Sequence, residues 1–163
     1  MWISPYGTCG VAKKEVVFYP FLGLLYLISG HLRVDRDNRQ NAIRSMDAMV
    51  KVVRRHQLSI WIWPEGTRSH DGKLLPFKKG FAHLALATRL PIVPVVIHGA
   101  AAGWRKRSLR LTPVTLRIEV LDAIPTTHWD AARLDEHIEH VHAHFRAALA
   151  APQSPPVQAQ VSV

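Results

Sequence analysis

The side chains of this chain best suited to grip a small anion sit together in one heptapeptide, Trp63-Pro64-Glu65-Gly66-Thr67-Arg68-Ser69. Arg68 offers a planar fork of donors that matches a phosphate. Thr67 and Ser69 add hydroxyl donors, and Gly66 lets the backbone approach a ligand closely. Glu65 can hold Arg68 or a substrate hydroxyl. The preceding segment Ser59-Ile60-Trp61-Ile62-Trp63 is β-branched and aromatic, which reads as a buried strand that Pro64 ends. A strand running into a polar, Gly-containing turn places functional groups at the carboxyl edge of a sheet, where α/β folds bind ligands. The same residues would also serve as a plain strand-terminal turn with an exposed ion pair. Chemistry alone leaves both readings open.

Other reactive groups are less organised. His137, His140 and His144 follow one another at helical spacing and could present a metal-binding face. No acidic partner accompanies them, so a solvated His-rich face is the preferred reading and no metal site is assigned. Trp104-Arg105-Lys106-Arg107-Ser108-Leu109-Arg110 is a basic run suited to an anionic membrane surface or to nucleic acid. The single cysteine, Cys9, has no partner for a disulfide and reads as a small apolar filler in a reducing compartment. A formal net charge of +9 calls for an anionic partner without choosing among nucleic acid, acidic lipid and phosphorylated substrate.

The elements that must position these groups alternate between strand and helix. Thr8–Ala12 is a short strand and Val16–Ser29 an apolar, helical segment kinked at Pro20. That segment is too short to cross a bilayer, which takes about 20 apolar residues. His31–Asp35 alternates with period two, and Asn38–His56 carries apolar residues at offsets of three and four, an amphipathic helix. His70–Pro76 with Asp71-Gly72 is a loop, and Lys78–Arg89 a helix stopped before Pro91. Ile92–Ile97 and Val114–Leu121 are strands. Asp130–Ala150 is a long helix, capped near Thr127 or His128, and residues 151–163 form a disordered tail. The alternation predicts one α/β domain over residues 1–150, with a central, largely parallel sheet flanked by helices. With 48% apolar and 20% charged residues the chain is globular.

The heptapeptide resembles the third conserved block of the glycerolipid acyltransferases, Phe-Pro-Glu-Gly-Thr-Arg-Ser, with Trp63 in place of Phe. Further matches follow in the family's order. Val11-Ala12-Lys13-Lys14-Glu15 and Pro20-Phe21-Leu22-Gly23 resemble the stretch after its first block, and Gly30–Arg36 resembles its second. Phe77-Lys78-Lys79-Gly80 matches the Lys-Gly step after the third block, and Pro91-Ile92-Val93-Pro94-Val95 the fourth. The resemblance spans about residues 10 to 122. It implies a glycerol-3-phosphate acyltransferase-like α/β fold and a reaction that moves an acyl group from acyl-CoA or acyl carrier protein to a lysophospholipid. The expected acceptor is lysophosphatidate, with phosphatidate the product. It also implies that Arg36, Glu65, Gly66, Thr67 and Arg68 bind the acceptor's phosphate and glycerol, that Lys79 adds positive charge, and that Pro94 helps shape a pocket. No metal or organic cofactor is implied. For a protein acting on lipids, the basic run favours an anionic membrane over nucleic acid, with the protein at the cytoplasmic side of the membrane.

One family element is missing. Its first block, His-x-x-x-x-Asp, supplies the general base for the acceptor hydroxyl and the carboxylate that orients it. No histidine of this chain has an Asp five residues on, and residues 1–10 contain neither type. The 163 residues are therefore expected to be inactive in acyl transfer. A start placed too late, a truncated gene and a non-catalytic phospholipid-binding relative all accommodate this. The intact acceptor blocks favour one of the first two. Another lysolipid, such as lyso-ornithine lipid, remains an alternative acceptor.

Overall fold

The computed structural model describes residues 7–13, 32–34, 39–103 and 112–151. Three short strands make a parallel sheet: β1 (Thr8–Lys13), β2 (Leu32–Val34) and β3 (Ser59–Trp61), in the order β2-β1-β3. The two halves of β1 serve different neighbours. Thr8–Gly10 pairs with Ser59–Trp61, and Val11–Lys13 pairs with Leu32–Val34. Cys9 is buried in the first half, with its Sγ 3.6 Å from the Ser59 carbonyl oxygen. Burial pushes its thiol pKa up, so the filler reading holds.

Helix α1 (Arg39–His56) links β2 to β3. Met49 and Val53, four apart, are buried, as the helical period requires. Gln57 ends the helix in the left-handed region at φ 51°, and Leu58 N–H donates back to the Val53 carbonyl at 3.0 Å. Arg54 reaches across to the Ala87 carbonyl at 2.9 Å and so ties α1 to the end of helix α2 (Gly80–Thr88). Arg89 then stops α2 at φ 61°. Its guanidinium donates to the carbonyls of Thr126, Thr127 and Trp129, which fastens the segment before the last helix.

Strand β4 (Val95–His98) and strand β5 (Arg117–Val120) form a separate antiparallel pair, with the short helix α3 (Ala100–Gly103) between them in the chain. The predicted strand Ile92–Ile97 is thus interrupted. Ile92 makes an isolated bridge to Ile124, and Pro94, which lacks an N–H, separates it from β4. On β5 the pleat turns Arg117 and Glu119 towards buried His98, whose Nε2 lies 2.9 Å from Glu119, while Ile118 and Val120 are exposed. The sheet content is therefore mixed: parallel around β1, antiparallel at β4 and β5.

The final helix, α4 (Leu134–Ala150), begins four residues later than the apolar period predicts. Asp130 explains the shift, because its carboxylate accepts from Arg133 N–H at 2.9 Å and Nε at 2.8 Å and so holds a turn ahead of the helix. Those two hydrogen bonds from Arg133 hold the Asp130 carboxyl below its ordinary value of 3.8. A depressed carboxylate stabilises the fold above the unfolded value and loses that contribution as pH falls through the folded one. Asp130→Asn is therefore expected to lower the melting temperature at pH 7. The gap to the parent should close below about pH 4, as thermal melts across pH will show.

The core gathers Phe77, Phe81, Ala82, Ala85, Ile124, Trp129, Leu134 and Val141. Phe77 is its hinge point, with edge contacts to Phe81 at 5.8 Å and Phe145 at 5.2 Å. Val16–Ser29, Trp104–Arg110, Arg36 and the tail from Pro152 lie outside the described residues.

Candidate functional site

Strand β3 ends at Trp61, two residues short of the predicted strand, and it is half-buried where burial was expected. It lies at the edge of the three-stranded sheet, so one flank has no strand neighbour among the described residues. Ile62 still packs on the core, and Trp63 is 62% exposed with its ring edge-on to Trp61 at 5.8 Å. The chain then reverses. Gly66 N–H donates to the Trp63 carbonyl at 3.0 Å, with Pro64 at the second position of the turn. Gly66 sits at φ 69°, a conformation that side-chain-bearing residues adopt only with strain.

The loop after this turn is closed at its neck. Lys78 N–H donates to the Pro64 carbonyl at 2.8 Å, and Leu75 N–H donates to Glu65 Oε2 at 2.8 Å. Between these ties Thr67 and Arg68 are exposed and Ser69 is half-buried. At the tip Asp71 accepts from Lys73 N–H at 3.2 Å, which keeps its carboxyl below the ordinary range. Gly72, at φ 80°, passes so close to α3 that an added Cβ would lie 3.0 Å from that of Ala101. Phe77 returns the chain to the core. The turn is therefore a framed structure that leaves Thr67 and Arg68 exposed.

Parallel pairing decides what else can join it. Because β2 and β3 both run parallel to β1, their carboxyl ends lie on one edge of the sheet. The strands β2 and β3 flank β1 at different levels, because Val34 pairs with Lys13 and Trp61 with Gly10. Glu65, Gly66, Thr67 and Arg68 are brought together by one turn at that edge, whereas Arg36 lies outside the described residues.

Lys79 has a different engagement. Its Nζ lies 2.6 Å from Asp135 Oδ1, an exposed ion pair that fixes the start of α2 to the start of α4. Lys78, which its residue type alone does not single out, is placed beside Pro64 by its own N–H and has no ion pair among the described residues. The repeated lysine carries no spacing signal by which to prefer one over the other. Pro94 is fully buried, consistent with a packing role.

Of the three α4 histidines at metal-face spacing, His140 and His144 meet edge-on at 4.6 Å, and His137 is drawn away from them. His137 is buried, stacked on Trp129 at 4.6 Å, and accepts from Asp130 N–H at 3.3 Å. His144 hydrogen-bonds the His140 carbonyl at 2.8 Å. Among the described residues no three His, Cys, Asp or Glu side chains are grouped to hold a metal ion.

Fold and site together define an α/β domain that presents a hydroxyl-and-guanidinium turn at the carboxyl edge of a parallel sheet. The model of the Acyltransferase family matches residues 2–98, and the chain belongs to that family. It is 47% identical over 155 residues to a 1-acyl-sn-glycerol-3-phosphate acyltransferase of Limnanthes douglasii, covering 95% of this chain and 55% of the relative. It is 34% identical over 146 residues to human 1-acyl-sn-glycerol-3-phosphate acyltransferase beta, covering 90% and 52%. The chain thus spans about half the length of the curated relatives it matches. Its fold is that of the 1-acyl-sn-glycerophosphate (LPA) acyltransferase, PlsC, from Thermotoga maritima, with a TM-score of 0.69, 23% identity, and coverage of 91% of this chain and 59% of that one.

Proposed function

We propose that this domain binds the phosphate and glycerol of lysophosphatidate, and that the reaction it serves is acyl transfer to the free glycerol hydroxyl, giving phosphatidate. The observation that carries the reading is the framed turn after β3, which presents Gly66, Thr67 and Arg68 at the carboxyl edge of the parallel sheet, and the family resemblance assigns Arg36 to the same phosphate. Two guanidinium groups around one phosphate supply paired, charge-assisted donors, each hydrogen bond contributing about 1.5–3 kcal/mol. Lys79 would add charge only by leaving Asp135.

The donor is an acyl thioester, acyl-CoA or acyl carrier protein. Attack by the glycerol oxygen breaks the carbon–sulfur bond, and the acceptor's proton passes to a base as the thiol leaves. No histidine among these 163 residues has the family's Asp five positions on, so the base and its orienting carboxylate are not supplied from here. The net charge of +9 and the lipid nature of the substrates support work at the cytoplasmic face of an anionic membrane as a peripheral protein. No helix among the described residues is long and apolar enough to cross a membrane.

Calorimetric titration tests the reading. The chain is expected to bind lysophosphatidate at least about 10-fold more tightly than the monoacylglycerol of the same acyl chain, which lacks the phosphate. Equal affinities would sink the proposal.

A further inference from the structure

We infer that Glu65 is a positioning residue: its carboxylate clamps the loop through Leu75 N–H and so holds Thr67 and Arg68 towards the ligand, without touching the ligand itself. The inference rests on the reading of the turn as the acceptor-phosphate site. An acidic side chain inside an anion site is otherwise a puzzle, since its charge opposes the phosphate's. The structure resolves it. Glu65 is half-buried, and its Oε2 accepts from a main-chain N–H ten residues away at 2.8 Å. Leu75 lies between Leu74, which packs on the core, and Pro76, which cannot donate. Phe77 is anchored among Phe81, His142 and Phe145.

The clamp therefore ties the exposed part of the motif to the packed core around Phe77. With Lys78 N–H on the Pro64 carbonyl and Gly66 N–H on the Trp63 carbonyl, it makes three main-chain N–H bonds within one loop. Removing the carboxylate would leave the Leu75 N–H without its acceptor and free residues 66–74 to move between the neck and the tip. The requirement is for reach and for an acceptor oxygen. Negative charge is not required.

Two variants separate reach from charge. Glu65→Gln keeps the length and an acceptor oxygen but loses the charge, whereas Glu65→Asp keeps the charge and is one methylene too short. In the full 163-residue chain, hydrogen exchange of the Leu75 amide and affinity for a short-chain, monodisperse lysophosphatidate are measured together. Glu65→Gln should hold both within a few-fold of the parent. Glu65→Asp and Glu65→Ala should speed Leu75 exchange roughly 10- to 100-fold and weaken binding by about 10-fold. The reverse order, with Asp retaining binding and Gln losing it while Leu75 stays protected, would show that the carboxylate meets the ligand and would overturn the inference. Should the parent chain bind no lysophosphatidate, the proposed function fails, and the exchange arm still decides the clamp. Unchanged Leu75 exchange in Glu65→Asp would overturn it on its own.

Discussion

A polypeptide of these 163 residues, supplied with lysophosphatidate and an acyl thioester, is expected to release thiol at a rate some 10²- to 10⁴-fold below that of a relative carrying the His-x-x-x-x-Asp block. That range is what a positioned general base contributes. The hydroxyl of glycerol is a poor nucleophile until its proton is taken, and no side chain at the described sheet edge is placed to take it. Glu65 is occupied by Leu75, and none of the ten histidines has the required Asp partner. His98, at the carboxyl end of β4, is buried against Glu119 and turned to the inner face of its strand pair. The measurement is thiol release followed with a thiol-reactive dye, under conditions where a relative with the full block turns over. Comparable turnover would mean that another group in this chain acts as the base.

Arg68→Ala is expected to weaken lysophosphatidate binding by roughly 10- to 100-fold, the effect of removing one charge-assisted, fork-like contact of about 1.5–3 kcal/mol. Arg68→Lys should recover only part of this, because an ammonium group delivers the charge without the two parallel donors. The loss should be confined to phosphate-bearing ligands, with affinity for the matching monoacylglycerol unchanged in both variants, because the phosphate is the group the guanidinium would grip. That contrast separates a ligand contact from a structural one. Calorimetry on the parent and the two variants, with melting curves as a control, supplies the comparison. Equal losses for both lipids, with a lowered melting temperature, would instead make Arg68 a structural residue of the turn.

The turn was legible in the sequence because its local chemistry is unambiguous. Four β-branched or aromatic residues lead to a proline, and a glycine follows where the chain must adopt φ 69°. Helix α1 was equally plain from its apolar period, and Met49 and Val53 are buried as that period demands. Local pattern does not carry pairing direction. Val95–His98 and Arg117–Val120 read as strands, but alternation is the same in parallel and antiparallel ladders, so their antiparallel union had no signal. The late start of α4 has a similar cause, since the Asp130 turn with Arg133 competes with the helix over residues that would otherwise continue it.

The site was legible in part. Motif and resemblance name Gly66, Thr67, Arg68 and Lys79, and only the fold shows that Asp135 engages Lys79. In the sequence Glu65 reads as a ligand contact, because an acid beside an arginine invites a hydroxyl or an ion pair. Its partner is a main-chain N–H ten positions on, which no residue pattern announces. His137 met the spacing of a metal face, but the buried ring of Trp129 claims it. Long-range packing wins wherever two local readings are of similar merit.

Amide shift mapping tests the assignment of the turn after β3 as the acceptor-phosphate site. Titrating the labelled chain with short-chain lysophosphatidate should move the amides of Gly66, Thr67 and Arg68 in a saturable way, with no such response to the matching monoacylglycerol. Saturable lysophosphatidate binding that leaves these three amides unmoved, or an equal response to both lipids, would contradict it.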